Sequence, residues 1–303
     1  MDPIMIELGP LAIRWYGVLI ALFSLAGLSW TLREARQRGM DPDAIMDLTP
    51  WMVFFGLVGA RLVFVVTSPQ LFFGPGRQPL DALAVWQGGI SIHGGILGVM
   101  LAVFLFAPRK GLRPWSVLDV MTPVAALGII GGRIGNIMNG TDTGGRPTDW
   151  AIGFNWPAPG TDTFGALGRV VFDNQMWQFA PPACQGAMGD CVVHFTPVYG
   201  AMVGVLLIPI LAWVFRRSAT PGVAFATFAL AYSLLRSVIE EPFRDNPLFL
   251  PVYENLSAGV GLFTLTQLVS IPIILVAAIA LARLDWNQTD ASHVKQPSQR
   301  AGT

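Results

Sequence analysis

The sequence predicts an all-α polytopic membrane protein of about seven transmembrane helices, and three observations predict it. Hydrophobic residues make up 53% of the 303-residue chain and charged residues only 13%, with a mean hydropathy of +0.54, outside the range of soluble domains. Seven stretches are apolar over the roughly 20 residues that a helix needs to cross a hydrocarbon core of about 30 Å. Lys and Arg are rich and poor in alternate connections, as they are when successive loops face opposite sides of a membrane.

The stretches run near 12–32, 46–67, 89–107, 116–138, 197–215, 221–241 and 263–282. The first follows Met1-Asp2-Pro3, which lacks the basic start of a signal peptide, so it is expected to remain as a span. The second holds Arg61, the third His93 between glycine pairs, the fourth Arg133 and the sixth both Arg236 and Glu240. The fifth and seventh carry no charge.

The first connection holds Arg33, Arg36 and Arg38, the third Arg109, Lys110 and Arg113, and the fifth Arg216 and Arg217. Arg283, Lys295 and Arg300 lie after the seventh stretch, whereas the second and sixth connections hold only Arg77 and Arg244. The basic segments are expected on the cytoplasmic side, which puts the N-terminus outside and the C-terminus in the cytoplasm. The fourth connection, 139–196, then falls outside as a periplasmic insertion between helices 4 and 5, long enough to be a small folded domain or a lid. Cys184 and Cys191 lie in it, where an oxidising compartment favours a disulfide. The polar tail from 285 reads as disordered. The expected organisation is one transmembrane domain over 1–284, including the insertion, and a cytoplasmic tail over 285–303.

A formal net charge of zero leaves no nucleic-acid footprint. The two cysteines form no CxxC, and His93, His194 and His293 are far apart, so neither a metal nor another cofactor is expected. Charges inside spans are costly and usually functional. Arg133, Arg236, Glu240 and His93 all lie near the ends of their spans expected to face outward. Arg236 and Glu240 are four residues apart, hence on one helical face, with Tyr232 a further four back. Arg133 and Asn136 are three apart, with Gly131, Gly132 and Gly135 leaving room for a head group or a neighbouring helix. The guanidinium fork matches phosphate oxygens, so two such arginines beside an Asn donor suggest a phospholipid head-group site. For Arg14 and Arg61 the plain alternative is a structural ion pair or a snorkelling side chain.

At these segments the sequence resembles a known family. IHGGILG (92–98), GGRIGNIMNG (131–140) and YSLLRSVIEEPFR (232–244) are similar to signature segments of the bacterial prolipoprotein diacylglyceryl transferases. LGPLAIRWYG (8–17), VGARL (58–62) and TQLVSIP (266–272) resemble the N-terminal segment, the second span and the last span of that family, in order. The resemblance implies functional roles for Tyr16, His93, Arg133, Asn136, Asn139, Tyr232, Arg236, Glu240 and Arg244. Three departures stand out. Thr141-Asp142 replaces a usual Glu, Gly200 stands where the family carries Glu in the opening of the fifth span, and one extra residue separates Glu240 from Arg244.

The family's reaction, implied here, moves diacylglycerol from phosphatidylglycerol to the lipobox cysteine thiol of a prolipoprotein at the bacterial inner membrane, forming a thioether and releasing glycerol phosphate. The expected partners are that lipid, the signal peptide and the bilayer. Such chemistry needs a thiolate and cations for the charge that grows on the departing phosphate. His93 is the first candidate base and Glu240 the second, with orientation of Arg236 or Arg244 by a salt bridge as the plainer role of Glu240. Arg133 and Arg236 would hold the phosphodiester. Asn136, Asn139, Arg244, Tyr16 and Tyr232 would bind and order the lipid head group. The rival reading is a secondary transporter of an anionic solute, which would place its charges near the midplane between inverted repeats; no repeat is visible here.

Overall fold

The structure is a computed structural model that describes residues 4–8, 11–73, 78–84, 89, 91–139, 145–156, 162–165, 168–171 and 191–286. Thr141, Asp142, Cys184 and the tail from 287 lie outside the described residues, as do the side chains of Asn139 and Cys191.

Among the described residues, seven helices are long and apolar enough to cross a membrane, matching the seven expected stretches within a few residues. They are α1 (Trp15–Gln37), α2 (Pro42–Thr67), α3 (Ile92–Phe106), α4 (Pro114–Asn139), α5 (Thr196–Arg217), α6 (Val223–Leu235) and α7 (Leu265–Arg283). α6 continues into a π turn at Arg236–Glu240 and a 3-10 turn at Glu241–Phe243. The chain is a multi-pass membrane protein. Pro50, Pro123, Pro209 and Pro272 sit inside four of the spans, as neighbouring helices in a membrane allow.

The segments between spans hold more than the helical reading anticipated. Among the described residues, eight short strands pair antiparallel in twos: β1 (Ile4–Leu8) with β2 (Leu11–Arg14), β3 (Phe154–Trp156) with β6 (Cys191–Val193), β4 (Asp162–Gly165) with β5 (Gly168–Val171), and β7 (Leu248–Asn255) with β8 (Val260–Thr264). Each strand is at most eight residues long, so span-length hydropathy passes over it.

The described elements gather into two compact units. In one, α1 to Thr31, α4 from Met121, α5, α6, α7 and the β7–β8 hairpin come together. Its centre is Ala126, Val203, Leu207 and Leu211, fully buried and enclosed by Trp30, Phe215, Phe228 and Tyr232. In the other, α2 and α3 meet backbone to backbone: a β-carbon on Gly59, Gly94 or Gly98 would collide with the facing helix's carbonyls. Small residues at such a seam replace the hydrophobic drive that is lost between helices in lipid.

Candidate active site

The first unit brings three of the expected arginines onto the carboxylate of a fourth expected residue. Glu240, 1% exposed, lies at the end of the π turn. Its Oε1 is 2.5 Å from Arg133 Nη2 and 3.1 Å from Arg244 Nη1, and its Oε2 is 3.9 Å from Arg236 Nη1. Spacing had pointed to Arg236 or Arg244 as its partner; the shortest contact is instead to Arg133, 107 residues earlier, on α4. Tyr232 adds its hydroxyl, which accepts from Arg236 Nη1 at 3.0 Å.

A second carboxylate escaped the sequence reading. Glu241 is fully buried, its Oε2 lies 3.6 Å from Arg236 Nη2, and its Oε1 accepts from Asn246 Nδ2 at 2.8 Å and Thr264 Oγ1 at 2.9 Å. The signal was available, since a carboxylate at the end of an apolar span is costly whether it is the first or second of a Glu-Glu pair. Among the described residues, three guanidiniums face two carboxylates in this cluster. The three arginines are not equally engaged: Arg133 and Arg244 sit within hydrogen-bond distance of Glu240, whereas Arg236 faces both carboxylates at ion-pair distance only.

The local sequence sets this geometry. The Glu241 amide reaches back five residues to the Arg236 carbonyl, closing the wide turn, and Pro242 has no N–H to continue the ladder. π turns of this kind recur at functional sites. On the facing helix, Gly200 leaves the necessary space: a β-carbon there would lie 2.5 Å from Arg133 Nε and 2.9 Å from Glu240 Oε2. Gly135, next to Asn136, takes the Tyr16 ring against the α4 backbone, where a β-carbon would lie 2.8 Å from Tyr16 Cδ2. Tyr16 is itself exposed and Asn136 half-buried. Asn139 closes α4.

Beside this cluster, His194 is fully buried. Its Nε2 lies 2.8 Å from the Ala258 carbonyl, which only accepts, so Nε2 carries the hydrogen. Nδ1 therefore accepts from the Tyr199 hydroxyl at 3.0 Å. Burial pushes the imidazole below its ordinary value near 6.5, against the pull of the Ala258 carbonyl. Trp150 and Phe243 pack on its ring. Arg146 joins the same region: its backbone bonds Phe243 and His194, and its guanidinium bonds Glu254 at 3.0 Å and the Asn246 carbonyl at 2.8 Å.

The second unit holds the other two candidates. His93 is exposed in the first turn of α3. Arg61 is buried and donates to the carbonyls of Asp81, Ala82 and Gly89 at 2.5–2.8 Å, with Phe72 and Phe64 against its guanidinium. Arg61 thus pins the segment between α2 and α3. Arg14 is exposed at the end of β2, in the first unit.

Comparison with known proteins agrees with the order of the motifs. The family model described as prolipoprotein diacylglyceryl transferase matches residues 3–283. A phosphatidylglycerol–prolipoprotein diacylglyceryl transferase of Thermus thermophilus is 46% identical over 280 residues, 92% of this chain and 97% of that one. Its counterpart in Deinococcus radiodurans is 43% identical over 292 residues, 94% of this chain and 86% of that one. One from Synechococcus elongatus is 36% identical over 246 residues, 78% of this chain and 75% of that one.

Proposed function

The chain belongs to the prolipoprotein diacylglyceryl transferase family, and from that premise we propose that its Arg133–Arg236–Arg244 cluster is where phosphatidylglycerol gives up its diacylglyceryl group. The enzyme carries out the first step of lipoprotein maturation. The acceptor in this reading is the lipobox cysteine of a signal peptide, and the setting is the bacterial inner membrane, with the arginine cluster toward its outer face. The reading rests on one observation above all. Three arginines share one buried carboxylate, and among the described residues they outnumber the two carboxylates that face them.

The chemistry follows from those guanidiniums. A phosphodiester is a monoanion, and guanidinium forks match its oxygens. The cysteine sulfur attacks the glyceryl carbon next to the phosphate oxygen, a C–S bond forms, and the C–O bond breaks. Its electron pair leaves with glycerol phosphate, which then carries a second negative charge. Cations fixed in advance, in a site poor in water, stabilise that new charge without reorganising. Arg236, which has no carboxylate at hydrogen-bond distance, is the side chain best able to turn onto the phosphate. Arg133 and Arg244 stay aligned by Glu240. Glu240, engaged by those cations, orients them rather than taking a proton. Of the two described histidines, His194 is committed at both ring nitrogens and His93 is exposed, so His93 is the candidate acceptor for the thiol proton on chemical grounds. Tyr16, Asn136, Asn139 and Tyr232 would order the glycerol head group. The chain would act as one transmembrane domain over 1–284, its 139–196 insertion outside and its tail in the cytoplasm.

A transfer assay tests the reading. Purified protein, phosphatidylglycerol vesicles and a lipobox peptide should give a diacylglyceryl mass increment on the peptide cysteine, and none with a Cys→Ser peptide. A folded protein that adds no such mass with any of several anionic lipids would contradict it.

A further inference from the structure

The N-terminus of α7 does more than begin a helix. Thr264 and Gln267 form a capping box, in which Thr264 Oγ1 accepts from the Gln267 amide at 3.3 Å and Gln267 Oε1 accepts from the Thr264 amide at 3.1 Å. The same Oε1 also accepts from the Phe263 amide at 2.6 Å. Phe263 is held at φ +69°, a conformation that a bulky residue adopts only under strain, and strain of this kind gathers at functional sites.

Two donors of this cap reach out of α7. The Thr264 hydroxyl donates to Glu241 Oε1 at 2.9 Å, and Gln267 Nε2 donates to the Ser237 carbonyl at 2.9 Å. Ser237 lies inside the π turn that carries Arg236 and Glu240. Its carbonyl has lost its normal helical donor, because the Glu241 amide is spent on the Arg236 carbonyl and residue 242 is a proline, with no N–H. Gln267 supplies what the helix withholds. Glu241, fixed by Thr264 and Asn246, then presents its other oxygen to Arg236.

We infer that Gln267 is a positioning residue for the transfer reaction: from α7 it fixes the π turn at Ser237 and, with Thr264 acting through Glu241, sets where the Arg236 guanidinium stands. The inference builds on the phosphate-gripping role proposed for Arg236. Gln267 itself touches no reacting atom in this scheme.

Gln267→Glu isolates the effect. Glu serves a capping box as Gln does, but its second oxygen faces the Ser237 carbonyl with no hydrogen to give. The full-length protein would be compared with wild type by thermal melting, by amide hydrogen exchange over 236–244, and by kcat and KM for phosphatidylglycerol with a lipobox peptide. The expected result is a melting temperature within a few degrees of wild type, faster exchange over 236–241, and kcat reduced about 10- to 100-fold, the range that a shift of an ångström or less at a reacting centre produces. KM should move less than kcat. A kcat within twofold of wild type would overturn the inference, whatever the exchange shows; so would unchanged exchange. Should Gln267→Glu fail to fold, Glu241→Gln, which keeps acceptors for Thr264 and Asn246 but removes the charge facing Arg236, is read by the same kinetics with the same two outcomes. A wild-type protein that transfers nothing would count against the reaction, while the exchange comparison would still decide whether the latch exists.

Discussion

At the scale of single residues, the cluster works because one buried carboxylate is shared. Breaking such a group by removing one partner costs about 3–5 kcal/mol, since a buried charge is left uncompensated. The arrangement also depends on a residue with no side chain. The space that Gly200 leaves is filled by Arg133 and Glu240. Gly200→Ala should therefore push Arg133 off Glu240 while leaving the fold in place. The overpacking should cost about 1–3 kcal/mol, and transfer should fall about 10- to 100-fold. Unchanged transfer in a folded Gly200→Ala protein would mean that the position of Arg133 does not matter. Arg61 teaches the opposite lesson, for a buried arginine in a span proved to be satisfied by three backbone carbonyls. Sequence shows that a charge is buried, not what neutralises it.

At the scale of elements, the spans were legible because twenty apolar residues in a row have few other uses, and their ends fell within a few residues of expectation. The π turn was not. Spacing placed Arg236 and Glu240 on one face of an ordinary helix, and both do face the cluster, but the turn between them is wider. Between Glu240 and Arg244 the chain tightens from the π turn into a 3-10 turn, and Arg244 reaches Glu240 at 3.1 Å. His194 belongs to this scale because it ties α5, through Tyr199, to the β7–β8 turn at Ala258 and to the backbone of Arg146. Its imidazole is held below its ordinary value by burial, so in acid the unfolded chain takes the proton first. The stability that this histidine confers is complete above about pH 6.5 and declines as pH falls through that value toward the lowered folded one. Melting temperatures taken from pH 8 to pH 5 should drop on the acid side, and His194→Gln should flatten that part of the curve; an equal drop in the variant would assign it to other groups.

At the scale of the whole molecule, the fold class and the chemistry were readable for different reasons. Hydropathy and the alternation of basic connections carried the first. The second came from three signature segments that bring His93, Arg133, Arg236 and Glu240 to span ends, and from their order along the chain. What stayed hidden was long-range: the contact of Arg133 with Glu240 across 107 residues, and the link from α7 to the π turn through Gln267. No periodicity encodes such pairs. Steady-state transfer by Arg236→Gln and Arg236→Lys shows whether Arg236 is the cation that takes the phosphate. Removal of one preorganised donor to a developing anion costs about 10²–10³-fold in kcat. Gln should lose at least that much, and Lys, which lacks the fork that matches phosphate oxygens, should recover little of it. Both variants turning over within a few-fold of wild type, in folded protein, would contradict the account and move the phosphate to another site.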